Sequence, residues 1–373
     1  MSPQTGTPLS VIHVLRTPVG GLFRHVCDLA KAQSELGIHV GVFCDSTSGG
    51  ENADHILKDL QHFCKLGIHR APIGRLPGIG DLAALKHLRK YLNKLRPEIL
   101  HGHGAKGGAY ARLLGHSIGA KSFYTPHGGS LHYSATSLTG FIFLKLEHLL
   151  SRRTDGIIFE SEFSQKTYLS KIGDPSCARR VIHNGIGDED FRQLTPHKNT
   201  SDFVFIGELR QLKGVDILLH ALAKLKETPQ HCTCTIVGDG PDGDAFRQLA
   251  LELGLGDTVY FAGFKPASEG FSYGRQLVIP SRAESFPYII LEGAAANLPV
   301  ITTNVGGIAE IFGDQADLLL PSDNITALAD ALKFAMNNPD EMNLRSQTLH
   351  RRVKDLFNVQ IMTKATVDFY SSV

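Results

Sequence analysis

The sequence predicts an α/β protein built from two doubly wound domains of similar size. Three observations carry that expectation. The chain has 373 residues, too many for one compact domain and about right for two. Short apolar runs alternate with longer segments of helical periodicity, the pattern of parallel strands joined by helices. A polar stretch at 188–201, containing Thr195-Pro196-His197-Lys198-Asn199-Thr200, divides that alternation into two series and reads as a linker.

The first series opens with an apolar strand at 10–15 and a break at Gly20-Gly21. A helix at 22–36 follows, with Leu22, Val26, Leu29 and Ala30 at helical spacing and Gly37 at its C-terminal end. Further strands are expected at 39–44, 99–100, 122–125, 156–160 and 180–183, with helices near 81–95, 107–117, 138–152 and 162–171. In the second series the strands fall at 203–206, 232–237, 259–262, 276–279, 300–303 and 318–320. Its helices lie near 214–226, 242–254, 287–297, 307–312 and 324–337. Residues 353–373 read as a polar-apolar helical segment that packs back on the N-terminal domain. Ligands of such sheets sit beyond the carboxyl ends of the strands, so a cleft between the two domains is the expected site.

Composition narrows the function. Lys and Arg total 38 against 37 Asp and Glu, a balance that gives no support to a nucleic-acid binder. Six cysteines show no Cys-x-x-Cys spacing, and the first ten residues lack the charged start and apolar run of a secretory signal. Buried free thiols in a reducing, cytoplasmic setting are expected, and no apolar run is long enough to span a bilayer. Glycine is plentiful at 38 residues and often paired: Gly20-Gly21, Gly49-Gly50, Gly107-Gly108, Gly128-Gly129 and Gly306-Gly307. Such pairs suggest tight turns beside a ligand, except Gly49-Gly50, which reads as a plain loop.

Two segments carry chemistry. In Glu284-Ser285-Phe286-Pro287-Tyr288-Ile289-Ile290-Leu291-Glu292, Pro287 is suited to the first turn of a helix, which puts Glu284 in the preceding loop and Glu292 about two turns in. Ser281 and Ser285 share that loop with the free N–H groups of a helix start, which favour anionic or hydroxylated ligands. Carboxylates accept paired hydrogen bonds from vicinal hydroxyls, so two at this spacing suit a sugar and a ribose at the two ends of a diphosphate. Taken alone, the same pair reads as a cap and a solvated side chain. The second segment, Gly207-Glu208-Leu209-Arg210-Gln211-Leu212-Lys213-Gly214, follows a strand and places Arg210 and Lys213 at a helix start, a clamp for a diphosphate.

These segments, with Val237-Gly238-Asp239-Gly240-Pro241, Gly263-Phe264, the run from Pro280-Ser281 through Glu284, Phe286-Pro287 and Leu291-Glu292-Gly293 to Pro299-Val300, and Gly306-Gly307 ahead of Glu310, resemble the donor domain of family 4 glycosyltransferases. Asn184-Gly185-Ile186 and the Gly20-Gly21 helix start match the same family. The resemblance implies the GT-B architecture, two Rossmann-like domains facing across a cleft. Residues 1–187 would bind the acceptor, 188–201 link, and 202–352 bind a nucleotide-sugar donor. It further implies a retaining, metal-independent transfer of a hexose-type sugar from a UDP- or GDP-sugar to a glycan or lipid-linked hydroxyl, with no cofactor. Arg210 and Lys213 would hold the diphosphate, and Glu284 the transferred sugar with the Ser285 and Phe286 N–H groups. Glu292 would hold the ribose, and Phe264 would lie near the base. Gly20 and Gly21 would approach the diphosphate from the other domain, and His127 matches a histidine near the reacting sugar. Many members have Arg where this chain has Glu208, so the Lys213 assignment is the firmer of the two cations. Surface polysaccharide or lipopolysaccharide synthesis, at the inner face of a membrane, is the family's usual setting.

Other chemistries leave weaker traces. Gly238-x-Gly240-x-x-Gly243 matches a dinucleotide fingerprint, and a nicotinamide oxidoreductase is the rival class. The acidic residue expected about 20 positions on is absent. A sugar-nucleotide epimerase on the same scaffold is a second rival. Asp188-Glu189-Asp190 and Asp242-Gly243-Asp244 spell Asp-x-Asp but follow no plausible site strand. His101 and His103, with His127 downstream, lack the spacing of a zinc site, and no metal is expected. Apolar residues crowd the circumference of 138–152, so this helix is expected to be buried, with membrane contact as the alternative.

Overall fold

The computed structural model describes residues 8–128, 137–192, 194–226 and 232–373. The chain folds as two compact units, Met1–Gly185 with Val359–Val373, and Ile186–Asn358. In the first, the chain runs β1 (Ser10–Leu15), α1 (Gly20–Glu35), β2 (His39–Asp45), α2 (Gly50–Leu60), β3 (Gly67–Ala71), α3 (Gly80–Leu95) and β4 (Ile99–His103). It continues through α4 (Gly104–Ile118), β5 (Lys121–Thr125), α5 (Leu138–Ser151), β6 (Gly156–Phe159), α6 (Glu162–Lys171) and β7 (Ala178–Val181). The second unit contains β8 (Ser201–Ile206), α7 (Val215–Lys226), β9 (Cys234–Val237), α8 (Gly243–Glu252), β10 (Val259–Gly263), α9 (Ala267–Gly270) and β11 (Gly274–Ile279). Then come α10 (Tyr288–Ala295), β12 (Val300–Thr302), α11 (Ile308–Phe312), α12 (Ile325–Asn337) and α13 (Pro339–Leu356), before α14 (Val359–Ser372) returns to the first unit.

Each unit holds one parallel sheet, ordered β3-β2-β1-β4-β5-β6-β7 in the first and β10-β9-β8-β11-β12 in the second. Parallel strands are covered on both faces, which is why β1 and β8 read as largely continuous apolar runs rather than alternating ones. Strand order reverses between β1 and β4 and between β8 and β11, the switch points where loops diverge and open a crevice. The second unit has one large core in which Phe203, Phe205, Leu277 and Leu291 are fully buried. In the first, Met362, Phe369 and Tyr370 of α14 are buried with β1 and α1 residues in one of its cores.

Several expectations need correction. Gly49-Gly50 is not a plain loop: Gly49 precedes α2 with φ 97° and Gly50 is its first residue. The helix at 50–60 and the strand at 67–71 lie outside the elements the apolar pattern predicts, because α2 buries only Ala53, Leu57 and Leu60 and β3 is a partly exposed edge. Gly107-Gly108 lies inside α4, where a Cβ on Gly107 would stand 2.2 Å from the Val14 carbonyl oxygen; it serves helix-on-sheet packing rather than a turn. Residues 318–320 form no strand: Leu320 makes a single bridge to Thr303, and a 3₁₀ turn occupies Gly313–Leu318. Within the 188–201 stretch, Asp188–Asp190 form a 3₁₀ turn and Ser201 already opens β8, while position 353 falls inside α13. Gly129 lies outside the described residues. Finally, α5 is not buried: Phe141, Ile142, Leu146 and Leu149 are 44–59% exposed, because only a narrow stripe with Leu144, Glu147 and Leu150 faces inward.

Candidate active site

In the second unit the loops after β8 and β11, adjacent strands at the switch point, converge. The β8 loop is pinned where Gly207 N donates to Val237 O at 3.0 Å and Leu209 N to Asp239 O at 2.9 Å. It then turns through Gln211–Lys213 to Gly214 at φ 70°, where a Cβ would lie 2.0 Å from the Pro280 carbonyl oxygen. That contact seats the β8 turn against the β11 loop. Gly306, at φ 62°, closes on the other side, its would-be Cβ 2.0 Å from the Glu284 carbonyl oxygen, and Gly307 N donates to Ser285 O at 2.7 Å. Arg282 ties the loops from beneath by ion pairs to Asp216 and Asp323, which raise its pKa further above its ordinary value.

The outcome is a preformed charged site. Lys213 Nζ donates to Glu284 Oε1 at 2.6 Å, and Ser281 Oγ donates to the same oxygen at 2.7 Å. The Glu284 side chain is only 9% exposed, so its charge is held by these donors rather than by water. Arg210 stands at the start of the same 3₁₀ turn, beside Glu208 at 3.7 Å, both well exposed. Glu292 is buried in α10, its fifth residue and little more than one turn in rather than two; Pro287 caps that helix from outside. The Phe286 side chain is buried against Phe357. Phe264 projects from the end of β10, 62% exposed.

The first unit carries the remaining candidates, Gly20, Gly21 and His127. Gly20 opens α1 at φ 69° with nothing within 4 Å of a Cβ position, and both glycines are exposed. His127, at φ 50°, is half-buried and belongs to a larger group of histidines. His13 on β1 and His101 and His103 on β4 flank the switch point, and His25 on α1 joins them; these four are at most 3% exposed. Hydrogen bonds link His13 to Gln33 at 2.9 Å, His13 to His103 at 3.0 Å, and His103 to His127 at 3.1 Å. His101 bonds Tyr370 and Thr125, and His25 bonds Asn184. Burial lowers every one of these pKa values, His13 to about 4 and His25 to about 3, so the rings are neutral at physiological pH.

Spacing alone linked only His101, His103 and His127; it missed His13, His25, Gln33 and Tyr370, which come from distant segments. The one local signal was a histidine inside the apolar run Val11-Ile12-His13-Val14. Ring nitrogens of His13, His101 and His103, and of His25, His103 and His127, lie within 4.8 Å of one another, the spacing of a metal site. The nitrogens joining His13, His103 and His127 already bond to one another, however, and a cation would have to break those bonds.

Residues 187–350 match the family described as Glycosyl transferases group 1, and residues 19–190 match Glycosyltransferase Family 4. The glycogen synthase of Mycobacterium tuberculosis is 26% identical over 384 residues, covering 94% of this chain and 91% of that one. Among solved structures, sucrose-phosphate synthase from Thermosynechococcus elongatus superposes with a TM-score of 0.82 at 21% identity, covering 98% and 99% of the two chains. Anabaena HepE in complex with UDP-glucose gives 0.81 at 18%, covering 98% and 100%. The fold is GT-B. With both units matched and the strand-end motifs inside the matched spans, the chain belongs to the family 4, group 1 glycosyltransferases.

Proposed function

We propose that this glycosyltransferase moves a hexose-type sugar from a UDP- or GDP-sugar to a hydroxyl of a glycan or lipid-linked acceptor, with retention and without a metal. The Lys213–Glu284 pair at 2.6 Å is the observation that carries this reading. A cation for a diphosphate and a carboxylate for sugar hydroxyls stand side by side, so a donor that reaches one reaches the other. Arg210, free to swing from exposed Glu208, would add a second cation. Ser285 and Phe286 would offer backbone N–H groups, Glu292 would hold the ribose, and Phe264 would flank the base. Gly20 and Gly21 would admit the diphosphate closely, and His127 would meet the transferred sugar. The bond from the anomeric carbon to the leaving phosphate oxygen breaks as the acceptor oxygen attacks the same face, and the acceptor proton passes to the departing diphosphate. Fixed positive charge at the leaving group lowers that barrier.

A surface-glycan or lipopolysaccharide acceptor at the inner face of a membrane suits the exposed apolar face of α5, flanked by exposed Lys145, Arg152 and Arg153. No helix among the described residues is long and apolar enough to cross a membrane. The test is turnover across a panel of UDP- and GDP-sugars. Lys213→Ala and Glu284→Ala should each lower kcat by roughly 10²-fold or more while circular dichroism stays unchanged, and turnover should persist in EDTA. Unchanged kcat in either variant overturns the site assignment, and abolition by EDTA overturns the metal-free mechanism.

A further inference from the structure

A neutral imidazole has one N–H and one lone pair, so in a chain of such rings the proton position at one end fixes every ring in turn. Gln33 Oε1 can only accept, so His13 donates to it from Nε2 and presents Nδ1 as an acceptor. His103 Nε2 must then donate to His13 Nδ1, which leaves His103 Nδ1 as the acceptor for His127 Nε2–H. The last ring emerges with its proton on Nε2 and a lone pair on Nδ1. That Nδ1 bonds to nothing among the described residues. His127 is also the one link of the chain with appreciable exposure, the inner rings being 0% and 1% exposed. Its backbone is held at φ 50° between Pro126 and a Gly128 at φ 75°, a left-handed conformation that local preference does not supply and the surrounding fold imposes. His101 packs against His103 with ring centroids 4.0 Å apart and planes tilted by 37°, and is itself held at both nitrogens by Tyr370 and Thr125, which fixes the middle ring from the side.

We propose that His13 and His103 are positioning residues for His127: the chain anchored on Gln33 sets its tautomer, so that its δ-nitrogen accepts a hydrogen bond from a hydroxyl of the transferred sugar and turns away a carboxylate. The inference rests on the transferase reading for the sugar, but not for the tautomer. An imidazolium at His13 or His103, which use both ring nitrogens in the chain, would set two N–H groups against each other, and the desolvation that keeps these rings neutral protects the polarity of the chain.

The full chain labelled with ¹⁵N-histidine, without any ligand, reports the tautomer directly. His127 is expected with a protonated ε-nitrogen and a bare δ-nitrogen at neutral pH. In His103→Gln, whose carboxamide carries a donor at one end and an acceptor at the other, that signature should persist; in His103→Leu it should give way to exchange between tautomers. A protonated δ-nitrogen in the parent protein, an unchanged tautomer in His103→Leu, or stoichiometric zinc bound by the five rings would overturn the relay. With whichever of UDP-glucose, UDP-N-acetylglucosamine or GDP-mannose is turned over, His103→Leu should lower kcat about tenfold with a smaller change in KM, and His103→Gln should recover most of the loss. The corresponding uronic-acid donor should react more slowly than its parent sugar, and equal rates would overturn the selectivity. If no donor is turned over while the tautomer is as stated, the transferase reading fails and the relay stands.

Discussion

His13 and His25 show how burial sets chemistry at a single residue. Both lose water entirely, and their pKa values fall from 6.5 to about 4 and about 3. Below pH 6.5 the unfolded chain takes up protons that the folded one refuses, so stability rises with pH and is fully present above 6.5. It is lost progressively as pH falls from 6.5 toward about 4, where His13 itself begins to charge. The urea midpoint of the full chain should therefore drop clearly between pH 7 and pH 4.5, and less so in His13→Gln. A flat midpoint would mean the rings are not held neutral. At Lys213 and Glu284 the side chains take each other, with Ser281, as hydrogen-bond partners in place of water. Their residue types and spacing at strand ends marked them in the sequence as candidates for holding a diphosphate and a sugar.

At the scale of elements, the β8 and β11 loops are held by backbone contacts too close for any side chain, at Gly214 and Gly306. Motif spacing revealed these glycines; what each one touches became visible only in three dimensions. The helix α5 shows the reverse. Its composition reads as buried, yet Phe141, Ile142, Leu146 and Leu149 face outward beside Lys145, while Leu144, Glu147 and Leu150 are the side chains covered between them. Periodicity reports which faces are apolar, not whether anything covers them. The protein should co-sediment with vesicles containing anionic phospholipid, and Phe141→Asp with Leu149→Asp should release it without changing the circular dichroism. No binding by the parent chain would remove membrane contact from the proposed function.

Across the whole molecule, α14 decides how the units are made. It follows α13 of the second unit, yet Met362, Phe369 and Tyr370 are buried with β1 and α1 of the first, and Tyr370 also bonds His101. Met362 and Phe369 alone bury apolar groups that contribute about 1.5–3 kcal/mol each. A chain ending at Asn358 should lose amide-exchange protection throughout the first unit and keep it in the second. Protection retained in both would show that α14 is dispensable.

Alternation of apolar runs and helical segments was enough to determine two parallel α/β units, and the strand-end motifs were enough to single out Arg210, Lys213, Glu284 and Glu292. Those features are local: periodicity and turn chemistry act over a few residues, and the site loops lie beside their own strands. Only the tertiary structure decided the histidine relay, the exposure of α5 and the home of α14. Each depends on contacts between segments far apart in the chain, such as His13 with His103 and His101 with Tyr370, and no local pattern encodes which distant partner will remove a side chain from water.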